Sequence, residues 1–156
     1  MEDNFLIRSY RREDKRDVID LWIQCNLVVP ANNPEKDIKR KLAVNPELFL
    51  VGIMDDTLVA TCMAGYDGHR GWINYLAVAP QCRRQGIATR IMKAAEGCLT
   101  SAGCPKINLQ VRTTNMAVIQ FYKSVGFSND DVVSLGKRLA PDPAFENPPF
   151  NNDARC

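Results

Sequence analysis

The residues best suited to chemistry in this chain are Arg83-Arg84-Gln85-Gly86-Ile87-Ala88, set where an apolar strand gives way to a long amphipathic helix. Such a junction can hold a phosphate. The first turn of a helix carries N–H groups without internal partners, and the helix dipole adds partial positive charge there. Gly86 and Ala88 have almost no side chain, so a ligand can approach the backbone, and Arg83 and Arg84 add full charges beside it. A glycine at a helix start also serves packing alone, so this turn needs a second signal.

That signal is Asn115-Met116-Ala117-Val118-Ile119-Gln120-Phe121-Tyr122-Lys123-Ser124-Val125-Gly126-Phe127. In this order along the chain, the two stretches resemble motifs of the GNAT N-acetyltransferases. Arg83-x-x-Gly86-x-Ala88 is similar to their R/Q-x-x-G-x-G/A pyrophosphate loop. The second stretch is similar to N-x-x-A-x-x-x-Y-x-x-x-G-F, with Val118 where alanine is usual. The preceding Leu76-Ala77-Val78-Ala79-Pro80 looks like the family's fourth strand. The resemblance runs from Phe5 to Leu139 and looks closest to small bacterial YpeA-type members.

The resemblance implies a fold, a reaction and a set of residues. The fold would be a single α/β (α+β) domain spanning residues 1–139. Its mixed, mostly antiparallel central sheet would carry helices on both faces and splay between strands 4 and 5. The reaction would move an acetyl group from acetyl-CoA, as co-substrate, to an amine acceptor by direct attack in a ternary complex. The N–H groups from Arg84 through Gln85, Gly86 and Ile87 to Ala88 would bind the pyrophosphate, with Arg83 and Arg84 nearby. The pantetheine arm would pair like an added strand along Ala77 and Val78. The Leu76 N–H would polarise the thioester carbonyl as an oxyanion donor. Tyr122 would protonate or hydrogen-bond the departing sulfur, and Asn115, about two helical turns before it, would contact the cofactor.

No general base is assigned. Related enzymes that acetylate protein N-termini carry a glutamate on strand 5 in an L-E-V-R context, whereas here Leu109-Gln110-Val111-Arg112 offers an amide. A water chain, a carboxylate such as Asp67, and a weakly basic acceptor are the alternatives. A different class of function, a CoA-binding or interaction module that keeps the fold without turnover, is the competing reading. Nucleic-acid binding through Arg83, Arg84, Arg90 and Lys93 is poor, since the charges are few and lack interleaved exposed aromatics.

The elements that must position these residues follow from periodicity. Trp72 to Ala79 is apolar with aromatic and branched members and reads as a strand. After Pro80 to Gln85, the positions Ile87/Ala88, Ile91/Met92, Ala94/Ala95, Cys98/Leu99 and Ala102 give a helix with one apolar face, stopped by Gly103 and Pro105. Upstream, Phe5 to Tyr10 reads as a strand, and Arg11 to Cys25 as a helix with Asp14 as candidate N-cap. Asn33-Pro34 opens a second helix. Between these helices lies Asn26 to Asn32, which in the family helps form the acceptor site. Leu48 to Met54 and Leu58 to Tyr66 read as strands joined by a turn at Asp55-Asp56-Thr57. Asp67-Gly68-His69 reads as a turn in which His69 is solvated. Lys106 to Arg112 reads as the fifth strand, Thr113-Thr114-Asn115 as the cap of a helix ending near Val125, and Val132 to Leu139 as a closing strand.

Residues 140–156 read as a proline-rich C-terminal tail, extended or disordered, with Phe145 and Phe150 as possible anchors. The short stretch after Phe127 leaves no room for a long hairpin, which predicts an acceptor site open on that side unless the proline-rich tail or a second subunit covers it, and suited to a peptide or protein amine.

Composition sets the outer limits. With 156 residues, 46% apolar and 24% charged, the chain suits one globular domain. A net charge of +2 does not suggest nucleic acid. No run approaches the ~18 apolar residues of a membrane span, and the start lacks a signal peptide's apolar segment, which predicts a cytoplasmic protein. The six cysteines form no C-x-x-C pair and there is one histidine, so no metal site is expected. Most of the cysteines read as small core residues, with Cys82 exposed in the turn. A homodimer is compatible with this reading.

Overall fold

The computed structural model describes residues 4–146. Its strands are β1 (Phe5–Ser9), β2 (Phe49–Met54), β3 (Thr57–Tyr66), β4 (Gly71–Val78) and β5 (Ile107–Asn108). Its helices are α1 (Lys15–Gln24), α2 (Pro34–Leu42), α3 (Ile87–Ser101) and α4 (Met116–Ser124). The sheet order is β1-β2-β3-β4-β5, antiparallel except for the parallel β4–β5 pair.

Alternation along β3 distributes the helices over both faces. Thr61 accepts a hydrogen bond from the α1 residue Trp22, while its neighbour Cys62 lies toward Cys98 of α3. The core forms on both sides: Val18, Trp22, Phe49 and Val51 are fully buried, as are Ile91 and Ala95 of α3. The β2–β3 turn carries Asp55 and Asp56 at φ 48° and 61°, the left-handed pair that a two-residue hairpin demands.

Several boundaries follow the sequence and others do not. Asn33 caps α2 through its side chain, which accepts from Lys36 N–H at 3.1 Å, with Pro34 in the first turn. Asp14 does not cap α1. Its carboxylate instead accepts from the Arg11 N–H (2.7 Å) and from both terminal nitrogens of Arg8 (2.7 and 2.8 Å), closing a short 3-10 turn ahead of the helix.

The fifth strand is much shorter than Lys106 to Arg112, because β4 and β5 pair only at Gly71–Ile107 and Trp72–Asn108. Beyond that point the two chains diverge. The closing strand expected at Val132 to Leu139 is absent. Asp130 reaches Lys106 and Asn108, and Ser134 bonds Gln110, so the segment runs beside the continuation of β5 through side chains alone. Val132, Val133, Leu135 and Leu139 are exposed. Branched residues fit a pleated, half-buried surface, and here no facing layer supplies one.

Only Cys62 among the described cysteines is fully buried. Cys25, Cys82, Cys98 and Cys104 are half-buried, Cys82 included, and all five are free thiols. Phe150 and Cys156 lie outside the described residues.

Candidate active site

The site begins with a defect in β4. Thr61 pairs with Ala77 and Met63 with Asn74, so Tyr75 and Leu76 together oppose the single residue Cys62. This bulge places Tyr75 at φ 50°, a left-handed conformation that a bulky residue adopts only when its surroundings enforce it. The enforcement is visible. The Tyr75 carbonyl accepts from the Thr61 hydroxyl (2.8 Å), which in turn accepts from the Trp22 indole N–H (2.9 Å). The Tyr75 ring stacks on Trp22 with centroids 3.8 Å apart. Its hydroxyl donates to Asp37 (2.7 Å) and accepts from the Asn32 amide.

The bulge sets the direction of the backbone beyond it. Ala79 N–H donates to Val59 of β3 at 2.8 Å, so alternation turns Ala77 toward β3 as well. The N–H and C=O groups of Val78 therefore face away from β3, toward the opening left by β5. The Val78 carbonyl there accepts from Cys25 Sγ (3.4 Å) and Arg83 Nε (3.2 Å).

The turn into α3 follows. Arg84 and Gly86 both have positive φ, 61° and 75°, which curls the chain into α3. Gly86 is the N-cap and no side chain caps the helix, leaving the N–H groups of Ile87 and Ala88 without a partner among the described residues. A Cβ built on Gly86 would meet no heavy atom within 4 Å, so the approach to these groups is open. This donor set suits a pyrophosphate. The two arginines divide the work: Arg83 folds back on Val78 and toward Cys25 Sγ (3.6 Å), while Arg84 has no side-chain partner among the described residues.

On the other side stands α4. Asn115 caps it, its side-chain oxygen accepting from Val118 N–H at 3.4 Å. Gly126 at φ 100° turns the chain past the helix so that Phe127 N–H returns to the Tyr122 carbonyl (3.0 Å). The Phe127 ring then meets Tyr122 edge-on at 5.5 Å, which gives the Gly-Phe pair its fixed offset from the tyrosine. Burial raises the Tyr122 phenol above its ordinary pKa, with Cys62 adding a smaller push in the same direction. It therefore remains a proton donor at neutral pH. No described residue hydrogen-bonds its hydroxyl, and no enclosed side-chain oxygen is left unpartnered, so the hydroxyl has access to solvent. Cys62 is also the β3 residue opposite the bulge. Burial pushes the Cys62 thiol up to about 12, which leaves it inert.

The base alternatives narrow. Asp67 accepts from His69 N–H (2.8 Å), Arg70 N–H (2.7 Å) and the Trp72 indole (3.3 Å), at the end of β4 away from Leu76. It is a turn-forming residue. Gln110 is engaged with Ser134. Sequence reasoning passed over Trp22, Thr61 and Asp37; nothing in a single chain signals that these three converge on a left-handed tyrosine.

Sheet, opening, bulge and uncapped helix together define an acyl-CoA-dependent transferase of the N-acetyltransferase type. The model of the Acetyltransferase (GNAT) family matches residues 10–127. The chain is 45% identical to an acetyltransferase of Yersinia pestis (strain Pestoides F) over 139 residues, covering 89% of this chain and 99% of the relative. Among solved structures, Chaetomium thermophilum Naa20 in complex with a bisubstrate analogue aligns with a TM-score of 0.64 at 27% identity, over 79% of this chain and 70% of that one. Ard1 from Thermoplasma volcanium has the same fold, with a TM-score of 0.69 at 23% identity over 80% and 83% of the two chains. The protein belongs to the GNAT family of acetyltransferases. No described helix is long and apolar enough to cross a membrane.

Proposed function

We propose that the protein transfers the acetyl group of acetyl-CoA directly to a peptide or protein amine within a ternary complex. The observation that carries this is the opening beyond Trp72–Asn108, flanked by the Leu76 backbone and the uncapped start of α3. In this reading the pyrophosphate rests on the N–H groups from Arg84 to Ala88, and Asn115 donates its free amide to the cofactor. The thioester carbonyl accepts from the Leu76 N–H. Attack by the neutral amine forms the C–N bond. The C–S bond then breaks as Tyr122 gives its proton to sulfur, the amine's surplus proton leaves to water, and the tyrosinate takes a proton back from water. An oxyanion donor of this kind is typically worth roughly 3–4 kcal/mol.

The acceptor class rests on shape. No hairpin follows Phe127 among the described residues and residues 128–140 are exposed, which favours an extended acceptor over a small amine that needs enclosure. The Naa20 complex with a bisubstrate analogue supports the ternary arrangement. A cytoplasmic location belongs to the same reading, and five free thiols among the described residues suit a reducing compartment. The test compares peptide amines with polyamines and aminoglycosides by CoA-thiol release. Peptides should be the better acceptors; a kcat/KM at least a hundredfold higher for a small polyamine would sink the acceptor assignment. Affinity for acetyl-CoA with no acceptor-dependent release would favour a binding module.

A further inference from the structure

Past Gly136 the chain crosses back over α2 and the loop before it. The Arg138 guanidinium donates to the Ala31 carbonyl at 2.9 Å. Asp142 accepts from both terminal nitrogens of Arg40 at 2.9 and 2.6 Å, stands 3.9 Å from the Lys36 ammonium, and its side chain is only 5% exposed. Asn33, whose oxygen caps α2, uses its amide to bond the Pro143 carbonyl at 3.2 Å. Phe145 is half-buried and lines an open cavity together with Ile23, Asn26, Val28 and Val29. The paired, two-pronged Arg40–Asp142 contact fixes orientation as well as distance.

Arg40 does not stop at the C-terminal segment. It also donates to Asp37 at 3.1 Å, and the other Asp37 oxygen accepts from the Tyr75 hydroxyl at 2.7 Å. Tyr75 is the left-handed residue of the bulge, directly before Leu76. A continuous chain of ion pairs and hydrogen bonds thus runs from Asp142 through Arg40 and Asp37 to the reactive end of β4.

We propose that Arg138–Phe145 is a specificity-determining strap: it covers the α1–α2 loop and, through Arg40 and Asp37, fixes Tyr75 and with it the acceptor side of the site. The inference rests on the assignment of Leu76 as the thioester donor. Asp37, Arg40 and Asp142 are positioning residues in this account, since none touches the reacting atoms. The Arg40 guanidinium holds the Asp142 carboxyl below the usual carboxylate range, so the clasp stays ionised through neutral and mildly acidic pH.

The test uses the full chain, isotope-labelled, with Asp142→Asn and Arg40→Gln made singly and together. In spectra without ligand, the Tyr75 and Leu76 amides should shift in each single variant, and the double variant should add little to Arg40→Gln. The Ile87 and Ala88 amides should stay in place. Acetyl-CoA affinity by calorimetry should remain within twofold, while the ratio of kcat/KM for a peptide amine over spermidine should change at least fivefold. Tyr75 and Leu76 amides unmoved in both single variants would overturn the strap. So would shifts spread equally to Ile87 and Ala88, which would mark general loosening. Failure of the wild-type chain to bind acetyl-CoA would sink the functional reading instead, and the ligand-free spectra would still decide the strap.

Discussion

The proposed phosphate turn and the proposed acceptor side adjoin the same strand but are made of different material. At the turn, the groups offered to a ligand in this proposal are backbone N–H groups, and their directions come from positive φ at Arg84 and Gly86 and from an uncapped α3. On the acceptor side the working parts are side chains: Trp22, Thr61, Asp37 and Tyr75 hold one another by hydrogen bonds and ring stacking. A backbone-built site needs only a few adjacent residues, so it survives much change elsewhere and appears as a short motif. A side-chain-built site draws on distant segments, and any one partner can disable it.

The largest effect expected is at Tyr122, the proposed proton donor. In the proposed mechanism Tyr122→Phe removes a proton donor used only in the transition state, so kcat should fall by ~10²–10⁴ while acetyl-CoA affinity holds. Steady-state kinetics on an established acceptor, with single-turnover rates to isolate chemistry, will show it. Wild-type single-turnover rates would remove the tyrosine from the mechanism.

Thr61→Val sharpens the contrast. It leaves the buried Trp22 N–H and Tyr75 carbonyl without their shared partner, at a cost of about 1–3 kcal/mol in stability. Denaturant titration measures this directly. The acceptor side should suffer more than cofactor binding, and equal stability would mean that the bulge holds itself.

A smaller loss is expected at Gly86, where valine would strain a left-handed position and crowd the open approach. Binding of acetyl-CoA should weaken at least tenfold, about 1.4 kcal/mol, in calorimetry of a folded variant. Unchanged affinity would place the pyrophosphate elsewhere.

Legibility in the sequence followed the same division. The α3 start and the Asn115–Phe127 segment could be read directly, because glycine, proline and capping asparagine act on their own backbone within a turn or two. The Gly126-Phe127 pair even has a local cause in the left-handed exit from α4. The extent of β5 and the closing strand could not be read. Their branched residues signal a pleated surface, but whether a partner strand or a covering layer exists is decided by the divergence at Trp72–Asn108. Asp14 also departs from the capping role that its place in the sequence suggests, since its carboxylate answers Arg8 of the preceding strand β1 instead of its own helix. The Arg40–Asp142 clasp joins residues far apart along the chain, and charge pairing at that separation leaves no pattern to find.

The account stands on Leu76 and the α3 turn addressing different parts of one ligand. Titrating the isotope-labelled chain with CoA and then with acetyl-CoA, and following the amides of Leu76, Ile87 and Ala88, tests this most directly. Ile87 and Ala88 should move alike with both ligands, because both carry the pyrophosphate. The Leu76 amide should respond strongly to acetyl-CoA and little to CoA, because only the former brings a thioester carbonyl to its N–H. A Leu76 amide indifferent to the acetyl group, or Ile87 and Ala88 amides unmoved by either ligand, would contradict the account.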